Sequence, residues 1–349
     1  GAAVAVDPNN GEVLALVSMP VFDPNLFVNG ISYANYNQLR DSPDRPLFNR
    51  ALSGQYPPGS TTKPFFAFAG LELGAVTAEH KVFCPGYYQL PNEPRKYRDW
   101  KKEGHGHMDL DGAVTQSCDV YFYKLAYELT IDRMAAFMQQ FGFGRKTGID
   151  STGERSGLMP TREWKRGAEG LPWFPGETLI TGIGQGALLV TPLQLANSTA
   201  AFASWGTRFQ PRLVKAVEKI PQYEKVATSS SIAGRYEVVK PENWEHVHQA
   251  MVNVVHGLRG TAHRISRGLD YQVAGKTGTA QVFGIAQDEE YDEEEVQEKL
   301  RDHALFVSYA PADAPRIVVA VIVENGGHGS SVAAPIARLI MDAYLLEDT

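Results

Sequence analysis

The sequence is short of cysteine, of net positive charge and of long apolar runs. Only two of its 349 residues are cysteines, Cys84 and Cys118, which excludes a disulfide framework and leaves the cellular compartment open. The net charge of −7 argues against nucleic acid as the main partner. No apolar run reaches the roughly 18 residues that a transmembrane helix requires, so no stretch of the sequence resembles a membrane span.

A leader-like segment is also missing, because strand-like residues 2–6 open the chain directly. We therefore expect an excised domain, with any N-terminal anchor lying outside it. The composition that is present, with 43% hydrophobic and 21% charged residues, is that of an ordinary globular protein. A chain of 349 residues is long enough for a full core and for two lobes.

Strand-like stretches lie near both ends of the chain. Residues 2–18 are typical of a hairpin around an Asn-Gly turn. The late strand-like stretches are 271–283, 304–309 and 317–324. The first and last strands can pair only across the whole chain, so we expect one sheet that is built from both termini.

Helical periodicity fills the middle of the chain and returns at its end. The helical stretches are 61–75, 111–142, 191–204 and 334–346. We expect a single domain with a sheet lobe of about 1–60 and 205–349 and an inserted helical lobe of about 61–204.

The remaining segments are rich in polar residues or in proline. Residues 20–59 indicate a long irregular connection, and residues 84–107 a polar excursion from the helical lobe. The acidic residues 288–295 are typical of a solvated loop between strands rather than of a binding tail.

The most informative stretch is QYPPGSTTKP at residues 55–64. Prolines and a glycine precede an apolar, helix-like run, so Ser60 is predicted at a helix N-terminus, where unpaired N–H groups favour negative charge. Lys63 lies one turn later on the same face. It can act as the base for the Ser60 hydroxyl if burial lowers its pKa. Ser-x-x-Lys also arises by chance in chains of this size, so the other motifs in the chain decide whether it is interpreted as catalytic.

A second serine motif begins an aromatic, helix-like stretch. Ser117 and Asp119 flank Cys118 there. The simple interpretation is helix N-capping. The functional hypothesis is that Ser117 passes a proton while Asp119 orients Lys63 or the substrate.

A third motif, GKTGTAQVF at residues 275–283, predicts a strand whose backbone another chain can approach. Such an edge can pair with an extended peptide. A substrate carboxylate would be bound by Lys276 and by the residues that follow it, Thr277, Gly278 and Thr279. The second Lys-Thr-Gly, at Lys146, follows a helix end and is interpreted as a cap and turn.

Ser-x-x-Lys, Ser-x-Asp and Lys-Thr-Gly in this order resemble the signature of penicillin-binding proteins and class A β-lactamases. The chain is similar along nearly its whole length to the transpeptidase domain of class B penicillin-binding proteins, and most to their elongation-specific members. The segments that carry this resemblance are YPPGST at 56–61, GIGQG at 182–186, VTPLQLA at 190–196, YRDWKK at 97–102, MPTREW at 159–164 and RDH at 301–303. Asp119 departs from the general motif, which has Asn. An ionised Asp cannot donate a hydrogen bond to a substrate amide.

The resemblance implies an α+β fold, with an antiparallel sheet flanked by helices, and a serine acyl-transfer reaction. Ser60 would attack the carbonyl between two D-alanines of a peptidoglycan stem peptide, and Lys63 would take its proton. Ser117 would relay a proton to the leaving amine. Lys276 would raise the local positive potential, and Thr277 would hold the terminal carboxylate.

The resemblance also implies an oxyanion hole made by the N–H groups of Ser60 and Thr279. The acyl group would pass to an amine of a neighbouring stem peptide, and β-lactams would acylate Ser60 as mimics of D-Ala-D-Ala. No cofactor is expected for this chemistry.

Three alternative functions share these motifs. A serine β-lactamase needs fast deacylation, and the Glu-x-x-x-Asn pattern of class A enzymes has no convincing match between residues 120 and 200. A D,D-carboxypeptidase has the same three motifs, so only its products distinguish it. A β-lactam-sensing domain or an inactive scaffold would bind drug at Ser60 without turning over peptide.

The sequence also predicts a structural zinc site. If Ser117 and Asp119 face the cleft, Cys118 points towards the excursion that holds Cys84, Asp99 and His105. Two Cys, one His and one Asp form a plausible tetrahedral zinc set. His107 is the reserve ligand. The alternatives are a Cys84–Cys118 disulfide, which the oxidising periplasm implied by the resemblance would favour, or two free buried thiols.

The resemblance further implies a cellular setting. It predicts a periplasmic domain of a single-pass inner-membrane protein, whose anchor and pedestal are not in this chain. The partners implied are peptidoglycan stem peptides, β-lactam antibiotics, a glycan polymerase and other proteins of the elongation machinery.

Overall fold

The computed structural model describes residues 1–221, 224–282 and 297–346. The acidic stretch 288–295 therefore lies outside the described residues. The strands are β1 (Ala2–Val6), β2 (Val13–Ser18), β3 (Val82–Cys84), β4 (Tyr87–Gln89), β5 (Lys96–Arg98), β6 (Gly106–Met108), β7 (Thr207–Phe209), β8 (Ala216–Lys219), β9 (Glu224–Ala227), β10 (Ile232–Arg235), β11 (Ala274–Ala280), β12 (His303–Ala310) and β13 (Ile317–Val323).

The helices occupy mainly the middle of the chain and its end. The α-helices are α1 (Tyr33–Arg40), α2 (Arg50–Ser53), α3 (Lys63–Glu72), α4 (Leu110–Thr115), α5 (Asp119–Gln140), α6 (Arg162–Glu169), α7 (Pro175–Gly182), α8 (Pro192–Ala203), α9 (Pro241–His256) and α10 (Ala333–Leu346). Short 3₁₀ turns occupy Pro24–Phe27, Gly59–Thr62, His263–Ser266 and Glu298–Leu300. Among the described residues, no helix is both long enough and apolar enough to cross a lipid bilayer.

One antiparallel sheet of five strands joins the two ends of the chain, in the order β11-β12-β13-β1-β2. β1 pairs with β13 across more than 300 residues of sequence, with Val4 opposite Ala320. Every residue of β1 is buried, as expected for a strand that is covered on both faces. The predicted α+β fold with a sheet built from both termini is confirmed.

The helical region packs around α3, whose residues are buried up to Leu71. Phe65 and Phe68 contact Phe141 and Phe202 edge to face, with ring centroids 5.4–6.2 Å apart. Gly70 lets α5 approach, because a Cβ there would lie only 2.8 Å from Leu125. This rigid core fixes the start of α3, and with it the position of Ser60.

The structure differs from the expectations in three places. The helix predicted over 111–142 is divided into α4 and α5, with Ser117 between them at a φ of 59°. Residues 20–59 contain two short α-helices and a 3₁₀ turn rather than only irregular chain. The excursion at 84–107 is built from two short antiparallel ribbons, β3–β6 and β4–β5.

Candidate active site

Ser60 lies in the 3₁₀ turn Gly59–Thr62 that leads directly into α3, as the proline-glycine entry predicted. Gly59 has a φ of 54°, and its N–H donates to the carbonyl of Gly184 at 2.9 Å. A Cβ at position 59 would lie 2.6 Å from the carbonyl oxygen of Thr279. Glycine is therefore required for this loop to sit against β11.

Lys63 is completely buried one turn after Ser60 and brings two motifs together. Its Nζ donates to Asp119 Oδ1 at 2.6 Å, to the Ser117 carbonyl at 2.8 Å and to Ser117 Oγ at 3.2 Å. The backbone N–H of Lys63 donates to the carbonyl of Ser60. The predicted Ser-x-x-Lys and Ser-x-Asp motifs thus meet at one ammonium group.

Asp119 has partners on both of its carboxylate oxygens. Oδ1 accepts from Lys63, and Oδ2 accepts from the backbone N–H of Trp100 at 3.0 Å. Burial raises the pKa of the Asp119 carboxyl, and the charge of Lys63 acts in the opposite direction. With both oxygens occupied, Asp119 is placed to orient Lys63.

The Ser117 backbone is held by Trp100, a residue without an assigned role in the sequence-based prediction. The indole Nε1–H donates to the carbonyls of Gln116 at 3.2 Å and of Ser117 at 3.1 Å. A φ of 59° is uncommon for a serine and costs free energy unless its neighbours enforce it. Trp100 and Lys63 both bind the Ser117 carbonyl and so enforce this conformation.

The third motif forms β11, an edge strand of the sheet. Lys276 is completely buried, and its Nζ donates to the carbonyl of Thr277 at 3.1 Å. Burial lowers the pKa of Lys276 well below its usual value, and the nearby charge of Lys63 adds to this. The hydroxyl of Thr277 lies 2.8 Å from that of Thr261. Gly278 accommodates the Ser60 turn, because a Cβ there would lie 2.7 Å from a methyl group of Thr61.

The other Lys-Thr-Gly occupies a different environment. Gly148 has a φ of 83°, as in a turn. The backbone N–H and the hydroxyl of Thr147 both donate to the buried carboxylate of Glu154, at 2.5 and 2.6 Å. This copy is thus a structural turn and is not part of β11.

Three residues at the site were missed by the sequence analysis: Trp100, Gln185 and Thr261. Gln185 Nε2 donates to the Thr279 carbonyl at 3.1 Å, across 94 positions of sequence. Gln185 belongs to the GIGQG segment that carried the family resemblance, and Trp100 to YRDWKK. The position of Gln185 and Trp100 inside these segments was the sequence signal that could have identified them as site residues. The sequence contains no such signal for Thr261.

A second cluster lies behind Asp119, in the excursion. The metal-ligating atoms of Cys84, Asp99, His105 and Cys118 all lie within 4.8 Å of one another. Asp99 Oδ2 is 3.4 Å from each sulfur, Asp99 Oδ1 is 3.4 Å from His105 Nδ1, and that nitrogen is 3.7 Å from Cys84 Sγ. Zinc bonds of about 2.0–2.3 Å separate the ligands of a tetrahedron by roughly 3.3–3.8 Å. The distances of 3.4–3.7 Å among these groups lie within that range.

Both cysteines of this cluster are free thiols in this structure, not a disulfide. Burial raises the pKa of each thiol. Burial also opposes ionisation of Asp99, but hydrogen bonds from His105, Val120 and Lys101 prevail and lower its pKa to about 2. One carboxylate faces two thiols and an imidazole, which is a donor set that zinc can bind once the thiols lose their protons.

Comparisons with known proteins identify the family of the chain. Residues 1–342 match the family described as penicillin binding protein transpeptidase domain. Peptidoglycan D,D-transpeptidase MrdA of Acinetobacter baumannii is 47% identical over 347 residues, which cover 99% of this chain and 51% of that protein. The chain thus spans about half the length of this curated relative.

Solved structures give the same result. Penicillin-binding protein 2 (PBP2) of Pseudomonas aeruginosa, in complex with WCK 5153, matches with a TM-score of 0.88 and 50% identity, over 99% of this chain and 71% of that one. PBP2 of Helicobacter pylori, in complex with MreC, matches with a TM-score of 0.85 and 31% identity, over 100% of this chain and 61% of that one. The fold, the order of the three motifs and these similarities place the chain in the penicillin-binding protein transpeptidase family, with PBP2 among its relatives.

Proposed function

We propose that this chain is the catalytic domain of a peptidoglycan D,D-transpeptidase that cross-links stem peptides during cell elongation and that β-lactams inhibit. The observation that carries the proposal is the buried Lys63 ammonium, which binds Ser117 and Asp119 one turn after Ser60. Any buried ammonium needs hydrogen-bond partners, but here the partners are the two polar residues of the second motif, brought together one turn after Ser60. The relatives named MrdA support the same activity.

The acylation step follows from this geometry. Ser60 Oγ attacks the carbonyl carbon of the penultimate D-alanine, and Lys63 Nζ is the proposed acceptor of its proton. Ser117 Oγ, 3.2 Å from Lys63 Nζ, carries a proton to the leaving amine of the terminal D-alanine. An ester bond to Ser60 forms and the peptide bond breaks.

Two backbone N–H groups, those of Ser60 and Thr279, are the proposed oxyanion hole. The close approach of Gly59 to Thr279 supports this assignment, because it brings the Ser60 turn against β11. Lys276, Thr277 and Gly278 would bind the terminal carboxylate of the substrate, which would pair with the edge of β11.

We further propose that Cys84, Asp99, His105 and Cys118 hold a structural zinc ion. The ion would supply no step of the reaction. It would cross-link four segments of the excursion and its neighbour: the end of β3, the residue after β5, the residue before β6 and the start of α5. Because Asp99 precedes Trp100, the same residues would also fix the segment that binds Asp119.

The cellular setting is part of the proposal. The chain would face the periplasm, attached through an N-terminal anchor and pedestal to the inner membrane. Because PBP2 of Helicobacter pylori has been solved with MreC, we propose contacts with an MreC-type protein and a glycan polymerase of the elongation machinery.

Labelled penicillin tests the proposed function. Intact mass and peptide mapping should show one adduct on Ser60, which is absent in Ser60→Ala and persists for many minutes. With a stem-peptide donor and an amine acceptor, the chain should form cross-linked product.

Other outcomes would point to the alternatives. An adduct on Ser117, or none, would contradict the assignment. Rapid turnover of a chromogenic cephalosporin would identify a β-lactamase. Release of D-alanine without cross-linked product would identify a carboxypeptidase. A stable adduct without peptide turnover would identify a sensor.

A further inference from the structure

A cavity of about 470 Å³ lies beside the candidate active site, between the β4–β5 ribbon and α7. Glu93, Arg95 and Tyr97 line one wall, while Trp173 and Ile180 add apolar surface to the opposite wall. This volume lies within the range of small-molecule and peptide sites, which are typically concave and mostly apolar with a few polar groups.

The cavity adjoins the active site through the loop that follows α7. Gly186 and Ala187 line it, and they come directly after Gln185, which donates to the Thr279 carbonyl. The same loop accepts the Gly59 N–H at the carbonyl of Gly184. A ligand in the cavity therefore lies against the loop that touches both the Ser60 turn and β11.

The wall formed by Glu93, Arg95 and Tyr97 also continues into the active site. Tyr97 in β5 is three residues before Trp100, whose N–H and indole bind Asp119 and Ser117. The ring of Tyr97 is buried, and it contacts that of Tyr123 with centroids 5.9 Å apart. Tyr97 thus anchors this wall to the core, and Glu93 and Arg95 lie in the connection between β4 and β5.

No residue of β11 lines this cavity. The donor peptide is proposed to bind along the β11 edge, so the cavity is a separate concavity that borders the same reacting centre. A transpeptidase must hold two peptides, because the acyl group leaves Ser60 only when an amine from a second stem attacks it. This reasoning rests on the proposed function.

The charges of the cavity indicate what it binds. The Glu93 carboxylate is hydrogen-bonded to Tyr97, and Glu177 pairs with Lys165. The exposed guanidinium of Arg95 lies over the Tyr97 ring, 5.2 Å from its centroid. Arginine held on an aromatic ring presents a planar set of N–H donors that suits a carboxylate.

We propose that this cavity binds the acceptor stem peptide, with Arg95 holding one of its carboxylates and the apolar wall its side chains. The acceptor amine then attacks the acyl carbon. The new C–N bond forms, the bond to Ser60 Oγ breaks, and a proton of the amine returns to that oxygen. Water competes for the same acyl carbon, so acceptor binding sets the ratio of aminolysis to hydrolysis.

The test measures that ratio in the 349-residue chain. An acyl-D-alanine thioester acylates Ser60, and the acceptor is a diamino-acid peptide with its carboxylate either free or converted to the amide. Arg95→Ala should lower the aminolysis-to-hydrolysis ratio about 10-fold or more for the free carboxylate, as expected when a charge-assisted hydrogen bond is lost. The ratio for the amide should change less than about 2-fold, by the same reasoning.

Lys96→Ala is the matched control, because Lys96 is the adjacent cation but lies over Tyr87 instead, 4.5 Å from its ring centroid. It should leave both ratios unchanged, and penicillin acylation should be equal in all three proteins. An unchanged ratio in Arg95→Ala, or slower acylation by the donor in that variant, would overturn the proposal.

A photoreactive acceptor peptide on the unmodified chain gives an independent measurement. Cross-links should map to 93–97 and 173–187, and labels confined to other surfaces would also refute the assignment. Failure of the proposed function is a different result, since the unmodified chain would then either form no acyl-enzyme on Ser60 or give no aminolysis product with either acceptor.

Discussion

At the scale of single residues, burial is what makes Lys276 unusual. Its pKa is lowered by burial and by the charge of Lys63, so it loses its proton at a lower pH than an ordinary lysine. If the charged form of Lys276 assists acylation, the acylation rate should fall as the pH rises. This fall should occur at a lower pH than the usual pKa of a lysine. Lys276→Arg should move this fall to higher pH, because arginine stays charged. Stopped-flow acylation by penicillin from about pH 6 to 11 measures it.

The two Lys-Thr-Gly copies provide a control for that residue. Lys276→Ala should slow acylation by about 100-fold or more, comparable to the loss of one electrostatic group at a reacting centre. Lys146→Ala should not, because Lys146 lies in the turn that Glu154 binds. Equal effects would show that the wrong copy has been assigned to the site.

Trp100 is one of the three residues whose contacts at the site only the structure shows. Trp100→Phe keeps a ring but removes the N–H that binds two carbonyls, so Ser117 should lose part of its enforced positive φ. We expect about 1 kcal/mol less stability and about 10-fold slower acylation, measured by chemical denaturation and penicillin kinetics.

The matched control for this variant is Trp205→Phe, because Trp205 is also about half exposed but stacks on Trp244 away from the site. Trp205→Phe should leave acylation unchanged. If Trp100→Phe acylates at the unmodified rate, its indole does not position Ser117.

At the scale of elements, the sequence predicts what is periodic or local. Two apolar runs joined by an Asn-Gly turn suffice for β1–β2, and the apolar run of β13 suffices for a buried strand. The break between α4 and α5 falls in the polar residues 115–119, where the N-capping interpretation already indicated a helix start. The positive φ of Ser117 was not predictable, because long-range bonds to Lys63 and Trp100 hold it. The three motifs were predictable by their order, but the contacts that orient them were not.

The turn before α3 gives a prediction at this scale. Gly59→Ala should abolish acylation or slow it at least about 100-fold, since the new Cβ meets the Thr279 carbonyl and the positive φ adds strain. Penicillin acylation rate and thermal unfolding measure the two effects.

Gly74→Ala separates these two causes. Gly74 also has a positive φ, 64°, but a Cβ there would meet no atom within 4 Å. This control should lose about 1 kcal/mol of stability and retain full acylation. Loss of acylation in both variants would show that general destabilisation, not the fit against β11, explains the effect.

At the scale of the whole molecule, the proposed zinc ion would join the excursion to the core. Protein purified without a histidine tag should contain about one zinc per chain, bound by four ligands. Cys118→Ser and His105→Ala should each lose the metal and unfold several degrees lower, because binding free energy contributes to folding. His107→Ala is the control, since His107 is exposed and packs beside Phe83.

The chelation experiment links the ion to activity. Removing zinc with a strong chelator should lower the unfolding temperature of the unmodified chain but not that of Cys118→Ser. Acylation of Ser60 should slow as well, because Asp99 leads directly into Trp100, whose N–H binds Asp119. Metal-free protein without titratable thiols would instead establish a Cys84–Cys118 disulfide. Metal-free protein with two free thiols and unaltered stability in the His105 variant would leave the cluster as an ordinary hydrogen-bonded core.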